Sequence, residues 1–162
     1  MNATTKYIRF SLIASLVIIA DQFTKYLVLK HMPLFKSISV IPGLFSLTHV
    51  RNPGGAFGFL ASNGLPWRHW LFIGAVIFAL GMILYFYHKT PKTHPYLGIG
   101  LALIFGGAIG NLIDRLRFGE VVDFLDVYVA HLHWPTFNVA DSAVTIGVSI
   151  FIAHIIFKKM PF

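Results

Sequence analysis

The chain reads as an all-α integral membrane protein: four transmembrane helices, with a small β-sheet carried in the loop after the first. Three observations lead there. The composition is 56% hydrophobic against 12% charged, with a mean hydropathy of +0.72. Four stretches approach the roughly 20 apolar residues a bilayer crossing needs. All six acidic residues, Asp21, Asp114, Glu120, Asp123, Asp126 and Asp141, fall at one side of the membrane once those stretches are threaded. At 162 residues one domain, 1–162, is expected.

The first span runs from about Ile8 to Leu29. Lys6 and Arg9 ahead of the apolar run resemble a signal peptide, but no A-x-A cleavage motif follows, and Asp21-Gln22-Phe23-Thr24-Lys25 continues the helical pattern. An uncleaved first span is therefore expected. The loop from about 30 to 68 is too long for a plain connector. Ser37 to Val50 is rich in β-branched and aromatic residues, interrupted by Pro42-Gly43, and Asn52-Pro53-Gly54-Gly55 then makes a strong turn before Ala56-Phe57-Gly58-Phe59. Short strands around turns suit that composition. The second span, about Trp70 to Tyr87, leads into the short basic segment His88 to Pro95.

The third span, about Tyr96 to Ile113, carries small residues every fourth position: Gly98, Ala102, Gly106 and Gly110. They share one helix face and let a neighbouring backbone approach closely. Asp114 follows Gly110 by four residues and Asn111 by three, so both polar groups lie near that packed face. A loop from about 115 to 136 leads to the fourth span, Phe137 to Phe157.

Four spans put both termini on one side, and charge does not say which. The terminal side holds six basic residues (Lys6, Arg9, Lys89, Lys92, Lys158, Lys159) and the loop side seven (Lys25, Lys30, Lys36, Arg51, Arg68, Arg115, Arg117). These cations flank apolar runs rather than forming one basic face, so they read as membrane anchors and not as a nucleic-acid footprint. The absence of cysteine excludes thiol catalysis, disulfides and thiolate metal sites.

An ionisable group near lipid is costly, so the gathered acids mark a functional site. Asp21 and Lys25, four apart, make an ion pair on one helix face. Arg115 beside Asp114 can hold a carboxylate or a carbonyl oxygen through its fork of donors. In Asn138-Val139-Ala140-Asp141, Asn138 suits the cap position and Asp141 the third helical position of a capping box. There the free N–H groups and the helix dipole favour its ionised form. Asp123, within Val121-Val122-Asp123-Phe124, is flanked by apolar residues, and burial would keep it protonated near neutrality. Two carboxylates pushed apart in this way form an acid–base pair. Other groupings are weaker: His131-x-His133 as a metal pair, Asp123-x-x-Asp126 with Asp114 around a divalent cation, and Ser142 with Lys25 as a nucleophile.

Taken in order, several motifs resemble those of one family. They are Asp21-Gln22-x-x-Lys25, Asn52-x-Gly54-Gly55-Ala56-Phe57, Gly106-Gly107-Ala108-x-Gly110-Asn111-x-x-Asp114-Arg115, Val121-Val122-Asp123-Phe124 and Phe137-Asn138-x-Ala140-Asp141-Ser142. They look like the conserved boxes of the lipoprotein signal peptidases, the bacterial signal peptidase II enzymes, and span nearly the whole chain. The segment between Asp126 and Pro135 is idiosyncratic.

The resemblance implies a multi-pass protein of the bacterial cytoplasmic (inner) membrane. Both termini would be cytoplasmic, and the loops, sheet and active site would lie at the outer face. It implies a metal-free aspartic peptidase, needing no cofactor, that cuts prolipoproteins before a diacylglyceryl-modified cysteine. Carried onto this chain, the catalytic pair is Asp123 and Asp141. Asn52, Gly54, Asn111, Asp114, Arg115, Asn138 and Ala140 become binding or supporting residues, and Asp21 and Lys25 structural ones. Substrate and membrane lipids are the implied partners of a monomer, nucleic acid is not, and globomycin is the implied inhibitor. Two other classes share the raw features: a Mg²⁺-dependent lipid transferase using Asp114, Asp123 and Asp126, and a non-enzymatic transporter or scaffold whose acids form an ion path.

Overall fold

The computed structural model describes residues 3–54 and 67–158. Ala56-Phe57-Gly58-Phe59 of the first loop lies outside them. Among the described residues, four helices are long and apolar enough to span a membrane. They are α1 (Ala3–His31), α2 (Arg68–Lys89), α3 (Pro95–Phe118) and α4 (Val139–Lys158). The first three run beyond the apolar core that marks them in the sequence, because polar end residues continue the backbone hydrogen bonding, whereas α4 starts two residues after the expected Phe137, with Asn138 as its cap. In α3 that continuation carries the helix past Asp114 and Arg115 to Phe118, where Gly119 ends it in the left-handed region (φ +78°).

The sheet differs from the expectation. Strands β1 (Ser37–Ile41) and β2 (Phe45–Asn52) come from the first loop as anticipated, but β3 (Val121–Val129) and β4 (Leu132–His133) come from the segment between α3 and α4. All pairings are antiparallel in the order β1-β2-β3-β4. A sheet confined to the first loop is therefore corrected to one shared by both loops, and "all-α" applies only to the spans. β2 and β3 are the inner strands, and Val121 to Phe124 of β3 are all buried. Buried on both faces, such a strand loses the polar alternation that would have announced it.

α3 is the central helix, in contact with α1, α2 and α4, and glycine explains why. The stripe Gly98-Ala102-Gly106-Gly110 packs towards α1: a Cβ on Gly106 would lie 2.9 Å from the Ala14 carbonyl oxygen. A second small-residue face meets α4, where Gly100 packs on Gly147 and Gly107 on Ala140. Backbones this close gain dispersion contact that lipid tails cannot supply. At the terminal end, Lys6 Nζ donates to the carbonyls of Thr90 (2.7 Å) and His88 (3.0 Å), and Tyr87 Oη donates to the Lys6 carbonyl at 2.6 Å. That clasp ties α1 to the end of α2. At the opposite end α1, α3 and α4 converge beneath the sheet.

Candidate active site

The base of the site is an ion cluster inside the helix bundle. Lys25 Nζ lies 2.9 Å from Asp21 Oδ2 and 2.9 Å from Asp114 Oδ2. It also donates to Asn111 Oδ1 at 2.9 Å, which occupies all three of its N–H donors. None of Asp21, Lys25 and Asp114 is more than 1% exposed. Asp21 and Lys25 pair within α1 as their spacing suggested; the tie to Asp114 of α3 is long-range. Gln22 completes the seam with its amide on the Gly110 carbonyl (3.1 Å) and Asp114 Oδ1 (3.0 Å). No role follows for Gln22 from the sequence, although a polar side chain within a span is a signal.

The cluster places the other elements. Asp114 Oδ2 accepts the Val122 backbone N–H at 3.0 Å, fixing the start of β3. Asp21 Oδ1 accepts the Ala140 backbone N–H at 3.0 Å, fixing the first turn of α4. Gly110 makes room for that contact, since a Cβ there would sit 2.5 Å from Asp21 Oδ2. β3 is then pinned to the chain entering α4 by Phe124 N and Leu125 N, which both donate to the Phe137 carbonyl, at 3.0 and 2.8 Å. This sets Asp123 beside Asn138.

Asn138 and Asp141 form the capping box their spacing predicted. The Asp141 N–H donates to Asn138 Oδ1 at 2.9 Å, and the Asn138 N–H to Asp141 Oδ2 at 3.2 Å. With its oxygen so used, Asn138 turns its amide nitrogen to Asp123 Oδ1 (2.7 Å). Asn52 Nδ2 donates to Asp123 Oδ2 at 3.1 Å, while Asn52 Oδ1 accepts the Gly54 N–H at 3.0 Å. Asn111 Nδ2 donates to Asp141 Oδ1 at 2.8 Å. Each carboxylate thus accepts two N–H groups.

Their surroundings differ nonetheless. Burial, and then the neighbouring Asp141 charge, push the Asp123 carboxyl up to about 7, against the opposing pull of Asn52, Asn138 and the Lys25 charge. Asp141 is half-buried in the first turn of α4. Both carboxyls line one cleft of about 640 Å³, together with Asn52, Asn111 and Arg115. Arg115 crosses it to the Gly54 carbonyl at 3.1 Å and packs over the Phe72 ring. Trp134, Pro135, Phe137, Val144 and Ile146 form an apolar wall, contributed partly by the idiosyncratic segment. The mixture of an apolar wall and a few convergent polar groups is typical of a ligand site.

The weaker groupings do not assemble. Asp126 faces away from Asp114: its oxygens bond His133 Nδ1 (2.8 Å) and Thr48 Oγ1 (3.1 Å). Among the described residues no three His, Asp or Glu side chains converge as metal ligands would. Ser142 Oγ donates to the Asn138 carbonyl at 2.9 Å, and Lys25 is spent on its three oxygens.

The family model described as signal peptidase (SPase) II matches residues 13–157. A lipoprotein signal peptidase of Desulforapulum autotrophicum is 51% identical over 158 residues, covering 98% of both chains. One from Syntrophus aciditrophicus is 47% identical, covering 94% of each. A solved bacterial membrane enzyme superposes with a TM-score of 0.82 at 36% identity over 94% of both chains.

Proposed function

This chain belongs to the signal peptidase II family, and we propose that it is a bacterial multi-pass membrane endopeptidase working through an Asp123–Asp141 dyad. Its family removes signal peptides from prolipoproteins. In our reading the cut falls just before a diacylglyceryl-modified cysteine. The observation that carries this reading is the shared cleft wall: two carboxyls electrostatically coupled, one pushed up to about 7.

The chemistry follows from unequal proton affinity. Asp123 starts protonated and Asp141 ionised, with a water between them. Asp141 takes a proton from the water as its oxygen attacks the scissile carbonyl carbon, while Asp123 passes its proton to the carbonyl oxygen. Asp141 then protonates the departing amine as the C–N bond breaks, and a hydroxyl of the diol returns a proton to Asp123. Both groups end as they began. Because the two are coupled, the protons belong to the pair in two macroscopic steps.

The remaining groups serve binding. Arg115 and the amides of Asn52 and Asn111 suit peptide carbonyl oxygens, and the wall of Trp134, Val144 and Ile146 suits acyl chains. The sheet steadies an extended peptide by backbone pairing. Both termini face the cytoplasm and the cleft faces outward. Globomycin is expected to compete for the cleft, and the enzyme to act as a monomer.

The test is cleavage of a purified diacylglyceryl prolipoprotein in detergent with excess chelator, comparing wild type with Asp123→Asn and Asp141→Asn. Wild type should cut, and both variants should fold yet fail. Silencing of wild type by chelator, or normal activity in either variant, would overturn the dyad.

A further inference from the structure

Three amides surround the dyad, and each is oriented by whatever donates to its oxygen. Asn52 Oδ1 is held by the Gly54 N–H, and Asn138 Oδ1 by the Asp141 N–H. Both locks are backbone groups. The Asn111 lock is different. Its Oδ1 accepts Lys25 Nζ at 2.9 Å, with Asn138 Nδ2 adding a donor at 3.1 Å. An ammonium can only donate. The Asn111 oxygen must therefore face Lys25, and its nitrogen must face Asp141 Oδ1, 2.8 Å away.

We propose that Lys25 is a positioning residue for the reaction: through Asn111 it locks an N–H donor onto Asp141, keeping that carboxylate oriented and ionised as the general base. This goes beyond the structural role of an Asp21–Lys25 ion pair, and it rests on the dyad reading given above. The relay runs Lys25 Nζ, Asn111 Oδ1, Asn111 Nδ2, Asp141 Oδ1, with hydrogen bonds of 2.9 and 2.8 Å at its two ends. Lys25 also acts on the pair through its charge, which favours ionised Asp123. The charged groups around the relay come from every packed element: Asp21 on α1, Asp114 and Arg115 on α3, Asp123 on β3 and Asp141 on α4. Two of them, Asp21 and Asp114, already bond Lys25 directly, so the third donor of its ammonium is the one directed to Asn111.

The experiment is the pH profile of kcat/KM for cleavage of a diacylglyceryl prolipoprotein in detergent, for wild type, Lys25→Gln, Lys25→Arg and Asn111→Ala. Removing the cation makes both carboxyls harder to ionise. Both limbs of the Lys25→Gln profile should then move to higher pH by about one unit, as for loss of a nearby opposite charge. Lys25→Arg keeps the charge and should return the limbs towards wild type. Lys25→Gln leaves Asp21 and Asp114 buried without their cation, so it can fail to fold. Asn111→Ala keeps Lys25 between its two carboxylates, Asp21 and Asp114, and should still raise the acidic limb, because Asp141 loses a donor. Asn111→Ala with lower kcat but an unmoved acidic limb would overturn the proposal, as would folded Lys25→Gln with both limbs in place. Failure of the dyad reading is separately visible, since Asp123→Asn or Asp141→Asn would then keep cutting.

Discussion

Asn138 donates its side-chain amide to Asp123 Oδ1 at 2.7 Å while using its own carbonyl oxygen to cap the helix that bears Asp141. One residue therefore joins both carboxyls of the site and starts α4. Substitutions there can separate capping from chemistry.

Asn138→Ala loses the cap and the bond to Asp123. It should cost about 1 kcal/mol of stability and about a hundredfold in kcat, as misplacement of a reacting group does. Asn138→Ser retains a neutral capping oxygen but loses the amide donor to Asp123. It should unfold near the wild-type temperature yet cut as poorly as the alanine variant. Thermal unfolding and cleavage, measured side by side, check both.

With Asp123 required in its protonated form and pushed up to about 7, kcat/KM should fall as pH rises through that value. It should fall again at acid pH as the pair takes up its second proton, giving a bell. In Asp141→Asn one of the two causes that raise Asp123 is removed while burial remains. Infrared titration of the carboxyl band should then place Asp123 below about 7 but still above the ordinary carboxylate range. A flat rate profile through the acidic range would contradict the scheme.

Gly110 has no room for a methyl group: a Cβ would meet Asp21 Oδ2 at 2.5 Å and Ala140 Cβ at 3.3 Å. Gly110→Ala should destabilise by about 1–3 kcal/mol, as overpacking does, and activity should fall with it because Asp21 positions the Ala140 N–H. Gly81→Ala, with nothing within 4 Å of its added Cβ, should change stability by no more than about 0.5 kcal/mol. Unfolding of the two variants in one detergent makes the comparison.

Asp126 is outside the cleft lining, paired with His133 and Thr48. Asp126→Asn should keep cleavage within about threefold of wild type, a difference below about 1 kcal/mol. A collapse as deep as that of Asp123→Asn would revive a site built on the three acids Asp114, Asp123 and Asp126.

Lys6 should separate stability from chemistry. Its ammonium holds the Thr90 and His88 carbonyls at the end remote from the dyad. Lys6→Met leaves those acceptors without a partner and should cost about 1–3 kcal/mol, with kcat/KM of the folded enzyme unchanged. Melting temperature and initial rate report the two effects.

Much of this molecule is legible along the chain because the signals are local. Four apolar runs mark the spans, and acids confined to one side mark the working end. Asn138 and Asp141, three residues apart, spell a capping box, and Asp21 and Lys25, four apart, an ion pair. Spacing says nothing, however, about which distant groups meet. Local surroundings singled out Asp123 and Asp141 as an acid–base pair, and the catalytic role expected of them came from resemblance across ordered motifs.

Tertiary packing settles the remainder. β3 escapes notice because a strand buried on both faces lacks alternation, and its partner β2 lies some seventy residues away. Lys25 acquires Asp114 and Asn111 only because the glycine face of α3 lets α1 approach. The amide orientations around the dyad follow in turn, since each is dictated by the donor its oxygen meets. Local hydrogen bonding chooses helices and caps. The exclusion of water from a shared interior decides which polar groups must satisfy one another, and in this protein those groups come from α1, β2, α3, β3 and the start of α4.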